Sequence, residues 1–153
     1  MAIVIRSFRA DDAPRVAEIV RRCLREVNSA DYPADVVDRM CEHFTARRFV
    51  ELSAERRIYV AEDGRVVGTV SRDGNQVYSM FVDPDVAGRG IGRLLMDHVE
   101  ALAAAEGHSH MEAGASITAH RFYLRRGYDD VRENDSGFGL TYLVRKPLQP
   151  SAG

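Results

Sequence analysis

Apolar residues in the first third of the chain recur at two different spacings. The stretch from Ala2 to Phe8 contains a β-branched run and predicts a strand. Beyond it, apolar residues at intervals of three and four predict one helix that ends near Asn28 and then a second helix. The two apolar faces consist of Ala13, Val16, Ala17, Val20, Cys23, Leu24 and Val27, and of Val36, Val37, Met40, Cys41 and Phe44.

The apolar period changes to two in the middle of the chain. Three alternating runs are separated by the turn signals Asp63-Gly64 and Asp73-Gly74. The predicted strands are Arg57 to Glu62, Arg65 to Ser71 and Val77 to Val82. Because tight turns join antiparallel neighbours, this region predicts a three-stranded antiparallel meander.

The remaining sequence alternates between helical and strand-like segments. Apolar positions from Ile91 to Leu102 predict a long third helix that is closed by Gly107. A short strand, a fourth helix and a final hairpin follow, at Ser109 to Ala113, about Thr118 to Arg126, Tyr128 to Glu133 and Phe138 to Lys146. This order of seven strands and four helices predicts the α/β class, with a mixed sheet and helices on both of its faces.

Composition limits the classes of function. The 153 residues, 45% of them hydrophobic and 29% charged, predict one domain over residues 1–147 with a loose tail at 148–153. A net charge of -2 argues against a nucleic-acid partner, and no apolar run indicates secretion or a membrane span, so we expect a cytoplasmic protein. The histidines and the two cysteines lack metal-ligand spacing, so we expect no metal site.

The strongest chemical signal is a glycine-rich turn between a predicted strand and the third predicted helix. Glycines at 88, 90 and 92 remove alternate side chains, so backbone N–H groups can approach an anion. The following helix N-terminus adds unpaired N–H groups and a positive dipole end, while Arg89 and Arg93 add charge. A pyrophosphate is the expected ligand. A dinucleotide-binding turn would need glycine at 93, and no P-loop motif is present.

This turn resembles the signature of the GCN5-related N-acetyltransferase (GNAT) superfamily. The signature is Arg or Gln, two residues, Gly, one residue, then Gly or Ala, and Ala87, Gly90 and Gly92 occupy those places. Ala87 departs from the usual Arg or Gln. The resemblance implies a mostly antiparallel seven-stranded sheet with four helices and acetyl-coenzyme A as cofactor. It implies a cofactor site comprising Met80, Phe81, Val82, Ala87, Gly88, Arg89, Gly90, Ile91, Gly92 and Arg93, the first three through a strand backbone that pairs with the pantetheine arm.

A second motif is similar to the other signature of the same superfamily, which places Asn or Ser, Ala, Phe-Tyr, Gly and an aromatic residue at fixed spacing. The matching residues are Ser116, Ala119, Phe122, Tyr123, Gly127 and Tyr128. The resemblance implies that Ser116, Ala119, Phe122 and Tyr123 adjoin the cofactor. Tyr123 would then be the acid that protonates the leaving thiolate, because a phenol of pKa about 10 stays protonated at neutral pH. Ser116 either contacts the cofactor or caps the fourth helix.

The acceptor side is less defined by the sequence. A lysine-like amine must lose a proton before it attacks, and the candidates for taking it are Glu26, Glu112, His110 and water. Asp31 and Tyr32 lie in the loop that usually lines the acceptor pocket in this superfamily, so we expect them to bind the substrate.

The sequence therefore predicts an N-acetyltransferase that acts by direct transfer in a ternary complex. A small molecule or an amino-acid-like primary amine is the expected acceptor and partner. Two alternatives stay open: acetylation of protein N-termini or lysines, and a non-catalytic domain that senses acyl-CoA. A homodimer is a further open alternative.

Overall fold

The computed structural model describes residues 2–149. Within that range the chain forms seven strands and five α-helices. The strands are β1 (Val4–Ser7), β2 (Arg57–Glu62), β3 (Val66–Asp73), β4 (Gln76–Val82), β5 (His110–Ser116), β6 (Asp129–Asp135) and β7 (Leu140–Pro147). The helices are α1 (Ala13–Glu26), α2 (Ala34–His43), α3 (Ala46–Leu52), α4 (Ile91–Ala105) and α5 (His120–Arg125).

All seven strands belong to one sheet in the order β1-β2-β3-β4-β5-β7-β6. Every neighbouring pair is antiparallel except β4 and β5, which run parallel. The predicted mixed, mostly antiparallel sheet is therefore confirmed. A parallel pair needs a long crossover, and α4 supplies it between β4 and β5.

Each face of the sheet carries its own apolar core. The helices α1, α2 and α3 pack on one face through buried side chains such as Val16, Val20 and Phe49. The helices α4 and α5 pack on the other face, where Leu95, Val99 and Met111 are fully buried. The prediction of helices on both faces is confirmed. We call the two sides of the sheet the α1 face and the α4 face.

The predicted number of four helices is wrong, because α3 was not recognised. Thr45 begins this helix by accepting a hydrogen bond from the Arg48 backbone N–H at 3.1 Å. Phe49 and Leu52 anchor the helix in the core. With only seven residues, α3 has two turns and is too short to display a repeating apolar face.

Two other boundaries differ from the prediction. The strand β5 extends to Ser116, although Gly114 and the alanines beside it have low strand propensity, because β7 pairs with it over its whole length. At the C-terminus, Leu148 donates its backbone N–H to the Ser109 carbonyl at 2.9 Å and packs on the α4-face core. Residues 150–153 of the predicted tail lie outside the described range.

Candidate active site

A wedge-shaped opening separates β4 from β5 in the middle of the sheet. The two strands pair only at Gln76 with Glu112 and Val77 with Ala113. Beyond these pairs, the rest of β4 is at least partly exposed although it is a central strand. Gly114 on β5 is exposed too, and a Cβ atom built on it would meet no atom within 4 Å. A narrow extended group can therefore enter between the strands.

A bulge in β4 lies at the start of this opening. Tyr78 pairs with Ser71 and Phe81 with Thr69, so two residues of β4, Ser79 and Met80, lie opposite one residue of β3. Ser79 has a φ of 50°, in the left-handed region that non-glycine residues rarely adopt. The bulge bends β4 away from a regular path at the point where its pairing with β5 stops.

The side chains that follow the bulge alternate between the two faces. Met80 packs on the α4 face, where its Sδ lies 3.7 Å from the position of a Cβ atom built on Gly92. Phe81 packs on the α1 face, with its ring centroid 6.1 Å from that of Phe44. One side of the wedge therefore carries the Met80 side chain and lies toward α4, and the other carries the Phe81 side chain and lies toward α2.

The glycine-rich turn lies at the N-terminus of α4 and has the geometry of an anion cradle. Gly88 and Gly90 have φ values of 84° and 78°, which glycine adopts without a Cβ penalty. A Cβ on Gly88 would meet no atom within 4 Å, and one on Gly90 only the Arg93 guanidinium, 3.6 Å away. Gly90 caps α4 without a side-chain hydrogen bond, so the first-turn N–H groups stay available. Arg89 is exposed beside them.

A buried carboxylate that the sequence analysis missed holds the base of this turn. Asp83 is fully buried and accepts hydrogen bonds from Arg15 Nη2 at 2.5 Å and Arg22 Nη1 at 3.2 Å. It also accepts from the backbone N–H of Asp85 at 2.9 Å. A buried carboxylate is stable only when it is paired in this way. Asp83 thus links the turn to α1. The local sequence indicates the Asp-Pro turn, but it does not indicate that Asp83 pairs with the arginines of α1.

The second motif forms α5 and the turn before it, on the α4 face. Phe122 packs on α4, since a Cβ on Gly92 would lie 3.3 Å from its Cε1 atom. Tyr123 is buried between Phe122 and Tyr128, with ring centroids 5.4 and 5.2 Å away. Burial raises the pKa of Tyr123 above its usual value, so its hydroxyl stays protonated at neutral pH. Tyr123, Met80 and the glycine-rich turn thus share one side of the wedge.

Ser116 closes the turn before α5. Its Oγ accepts a hydrogen bond from the backbone N–H of Ala119 at 3.1 Å. The N-cap position of α5 is Ala119, which has no side-chain cap hydrogen bond, so Ser116 does not cap the helix directly. A contact between Ser116 and the cofactor stays a prediction.

On the α1 face, the two residues expected to bind substrate make hydrogen bonds to residues near the end of β5 and the start of β7. The Tyr32 hydroxyl donates to the Leu140 carbonyl at 2.8 Å and accepts from the Ile117 backbone N–H at 2.9 Å. Asp31 accepts from Thr118 Oγ1 at 2.7 Å. Both side chains join the loop after α1 to the end of β5. Their direct contact with an acceptor stays a prediction.

Each of the residues considered as bases has a polar partner of its own in the structure. Glu112 lies at the closed end of the wedge, where it accepts hydrogen bonds from Gln76 Nε2 at 2.9 Å and Arg145 Nη2 at 2.6 Å. These bonds lower the pKa of Glu112. His110 lies beside it, with Nε2 3.5 Å from Glu112 Oε1. Glu26 is exposed at the end of α1 and accepts from Arg22 Nε at 2.7 Å.

An aromatic wall on the α1 face was not predicted from the sequence. The wall consists of Phe81 in β4, His43 at the end of α2, Phe44 directly after α2, and Phe138 in the β6–β7 loop. Ring centroids are 6.1 Å apart for Phe44 and Phe81, 4.9 Å for His43 and Phe44, and 5.6 Å for His43 and Phe138. Burial, Arg48 and Arg56 lower the pKa of His43. The wall gives the α1 face a largely aromatic surface.

Comparison with known families agrees with this geometry. The family described as "Acetyltransferase (GNAT) domain" matches residues 26–143. The chain belongs to this GNAT acetyltransferase family. The expected superfamily and the expected class of enzyme, an acetyltransferase, are both confirmed.

Relatives of this GNAT chain span its full length. "Peptidyl-lysine N-acetyltransferase YjaB" of Salmonella typhimurium is 27% identical over 98% of the chain and 100% of the relative. Among solved structures, a GCN5-related N-acetyltransferase from Rhodopseudomonas palustris superposes with a TM-score of 0.89 at 23% identity, covering 97% of each chain. The PaiA N-acetyltransferase of Thermoplasma acidophilum, solved with coenzyme A, has a TM-score of 0.79 at 15% identity, covering 96% of this chain and 99% of that one.

The residues present fit the cofactor that this family implies, acetyl-coenzyme A. The open cradle at Gly88 and Gly90 suits its pyrophosphate, and the unpaired half of β4 suits its extended arm. Acetyl-coenzyme A is the cosubstrate, as expected. Within residues 2–149, no helix is long and apolar enough to cross a membrane. Across that same range, no group of three or more His, Cys, Asp or Glu side chains is arranged to hold a metal ion.

Proposed function

We propose that this GNAT chain acetylates a primary alkylamine by direct attack on acetyl-coenzyme A in a ternary complex. The observation that carries the proposal is the wedge between β4 and β5, because it has a glycine-rich anion cradle on one side and an aromatic wall on the other. An extended cofactor arm in the wedge reaches both sides. The amine then approaches from the α1 face.

The cofactor side works through backbone groups. Gly88, Gly90 and the first turn of α4 hold the pyrophosphate through N–H groups, with Arg89 and Arg93 as flanking charges. The unpaired backbone of β4 after the bulge holds the pantetheine arm as an added strand. Acetyl-coenzyme A supplies the thioester carbonyl that the amine attacks.

Tyr123 donates to the leaving group. Its raised pKa keeps the hydroxyl protonated, so that it can donate to the sulfur as negative charge develops there while the C–S bond breaks. Because a thiol of pKa about 8.5 is a stronger acid than this phenol, the proton is only shared with the departing sulfur in the transition state, and the final protonation of thiolate and tyrosine is set by water. On the acceptor side, an alkylammonium of pKa about 10.4 must lose a proton, which costs about 4.6 kcal/mol at pH 7. Water that reaches the exposed wedge takes this proton.

Peptidyl lysine is a second candidate acceptor. The observation in its favour is that β6, the edge strand beside the aromatic wall, is exposed at all seven of its residues. A protein segment has room to approach there. YjaB of Salmonella typhimurium, similar along its whole length, is named as a peptidyl-lysine N-acetyltransferase.

The test is to follow thiol release from acetyl-coenzyme A with a panel of amines: n-butylamine, polyamines, amino acids and lysine-containing peptides. We expect amine-dependent release that rises about tenfold per pH unit between pH 7 and 9, because only the neutral amine attacks. Mass spectrometry of the product identifies the acetylated nitrogen. A peptide that outperforms butylamine supports the second candidate. Absence of amine-dependent release with every member of the panel contradicts the proposal.

A further inference from the structure

A carboxylate interrupts the apolar stripe by which α4 packs on the sheet. Glu100 lies four residues after Met96 and three before Ala103, and both of these neighbours are fully buried. Only 9% of Glu100 itself is exposed. Replacing a buried carboxylate and its partners by apolar side chains is often neutral or stabilising, so stability alone does not account for Glu100. The groups that pair with it indicate its role.

Three donors from the C-terminal part of the chain meet at Glu100. The Tyr128 hydroxyl donates to one carboxylate oxygen at 2.8 Å, and Arg126 Nη2 and Lys146 Nζ donate to the other at 3.0 and 2.9 Å. Arg126 and Tyr128 lie just after α5, and Lys146 lies in β7. Arg126 also bonds the exposed Asp97, but its own side chain is only 11% exposed. Glu100 thus joins α4 to the end of α5 and to β7.

Tyr123 is held by two of the residues that Glu100 binds. The helix that carries it, α5, has six residues and is therefore shorter than two turns. The Tyr123 carbonyl accepts hydrogen bonds from the backbone N–H groups of Arg126 and Tyr128, at 3.0 and 3.1 Å. The Tyr123 ring packs on the ring of Tyr128, whose hydroxyl is fixed by Glu100. Both the backbone and the ring of Tyr123 are thus connected to Glu100 through one intermediate residue.

We propose that Glu100 is a positioning residue for the general acid, because it fixes Arg126 and Tyr128, which in turn orient Tyr123 toward the thioester. This inference rests on the proposed function, in which Tyr123 donates to the departing sulfur. A shift of about 1 Å in a catalytic group can lower a rate about 10²-fold. Glu100 lies nine residues after Ile91, about 14 Å along α4 from the anion cradle, so it orients the acid without binding the cofactor.

Glu100→Gln tests the proposal by separating kcat from KM. The amide keeps an acceptor oxygen but loses the charge that holds Arg126 and Lys146. We expect kcat with n-butylamine to fall about tenfold, while KM for acetyl-coenzyme A stays unchanged. The matched control is Glu106→Gln at the other end of α4, because Glu106 pairs with a buried arginine of β3, Arg72. We expect the control to change kcat by less than about twofold.

The Tyr123→Phe background distinguishes positioning from a general loosening of the fold. If Glu100 acts through the Tyr123 hydroxyl, Glu100→Gln should lower kcat by less than about twofold once that hydroxyl is absent. A variant that only loosens the fold would lower kcat by the same factor in both backgrounds. Equal factors in the two backgrounds, or an unchanged kcat in Glu100→Gln, overturn the inference.

Tyr128→Phe is a second variant for the case that Glu100→Gln does not fold, which thermal melting reveals. It removes one hydroxyl, keeps the ring beside Tyr123, and leaves Glu100 paired with Arg126 and Lys146. We expect kcat to fall about threefold, and only while the Tyr123 hydroxyl is present. An unchanged kcat in this variant also overturns the inference. If Tyr123→Phe alone keeps the wild-type kcat, the proposed function fails instead, so the two failures are distinguishable.

Discussion

The two sides of the wedge are built from different parts of the polypeptide. On the α4 face, the anion cradle consists of backbone groups within one short turn, and the glycines there leave space rather than fill it. On the α1 face, the aromatic wall consists of side chains from α2 and the residue after it, from β4 and from the β6–β7 loop. The first side depends on backbone conformation, and the second depends on which side chains the fold brings together.

This difference has a chemical consequence. A site made of backbone N–H groups tolerates many substitutions around it, provided that the glycines stay, and it recognises a ligand common to the whole family. A site made of side chains changes with each substitution. We therefore infer that acceptor selectivity resides on the α1 face. Three substitutions test the other half of this division, namely the cofactor side and the closed end of the wedge.

The largest expected effect comes from Tyr123→Phe. Loss of the hydroxyl removes the general acid, so kcat should fall about 10²-fold, while the affinity for acetyl-coenzyme A should stay nearly unchanged. The ring stays, so the contacts with Phe122 and Tyr128 are preserved. Steady-state kinetics and calorimetry measure the two quantities. If kcat stays at the wild-type value while chemistry is rate-limiting, Tyr123 is a packing residue.

The next largest effect is expected for Gly90→Val, which tests the cradle. A branched side chain at the mouth of the turn blocks phosphate approach, so the Kd for acetyl-coenzyme A should rise about tenfold or more. Gly107→Val is the matched control, because Gly107 also has a positive φ, of 93°, and no atom within 4 Å of a Cβ built on it, but lies beyond the C-terminal end of α4, at the opposite end of that helix from the cradle. Both variants should lose similar stability. Equal cofactor affinity in the two variants would contradict the cradle.

The smallest effect on activity is expected for Glu112→Gln. Because Glu112 lies at the closed end of the wedge, kcat should change by less than about twofold. The pKa of Glu112 is lower in the folded protein than in the unfolded chain. Its ionised carboxylate therefore stabilises the fold at pH values above the unfolded pKa of about 4.3, and this contribution is lost as the pH falls through the folded pKa. Melting curves from pH 7 to 3 should therefore decline less steeply for the variant. A large loss of kcat would contradict this expectation and support Glu112 as the catalytic base.

The same division explains what the sequence could predict. The glycine-rich turn and most strands follow from local spacing, because turn chemistry and periodicity act over a few residues. Tyr123, in contrast, was identified through the resemblance of its segment to the GNAT motif. The wall formed by His43 and Phe138 depends on contacts between residues 95 positions apart, which no local pattern encodes. The sequence placed Glu112 correctly on a strand. It did not show that Glu112 lies at the closed end of the wedge, because the position of the opening depends on the bulge at Ser79. The short helix α3 was missed for lack of a repeat.

The bulge in β4 also bears on solubility. After Ser79, the strand has a row of backbone groups with no strand partner on the β5 side, and this row lies in the centre of the sheet rather than at its margin. It has the chemistry of an edge strand, the part of a sheet where foreign chains add during aggregation. A cofactor arm paired along this row covers it. We therefore expect bound acetyl-coenzyme A to reduce self-association of the protein as well as to support turnover.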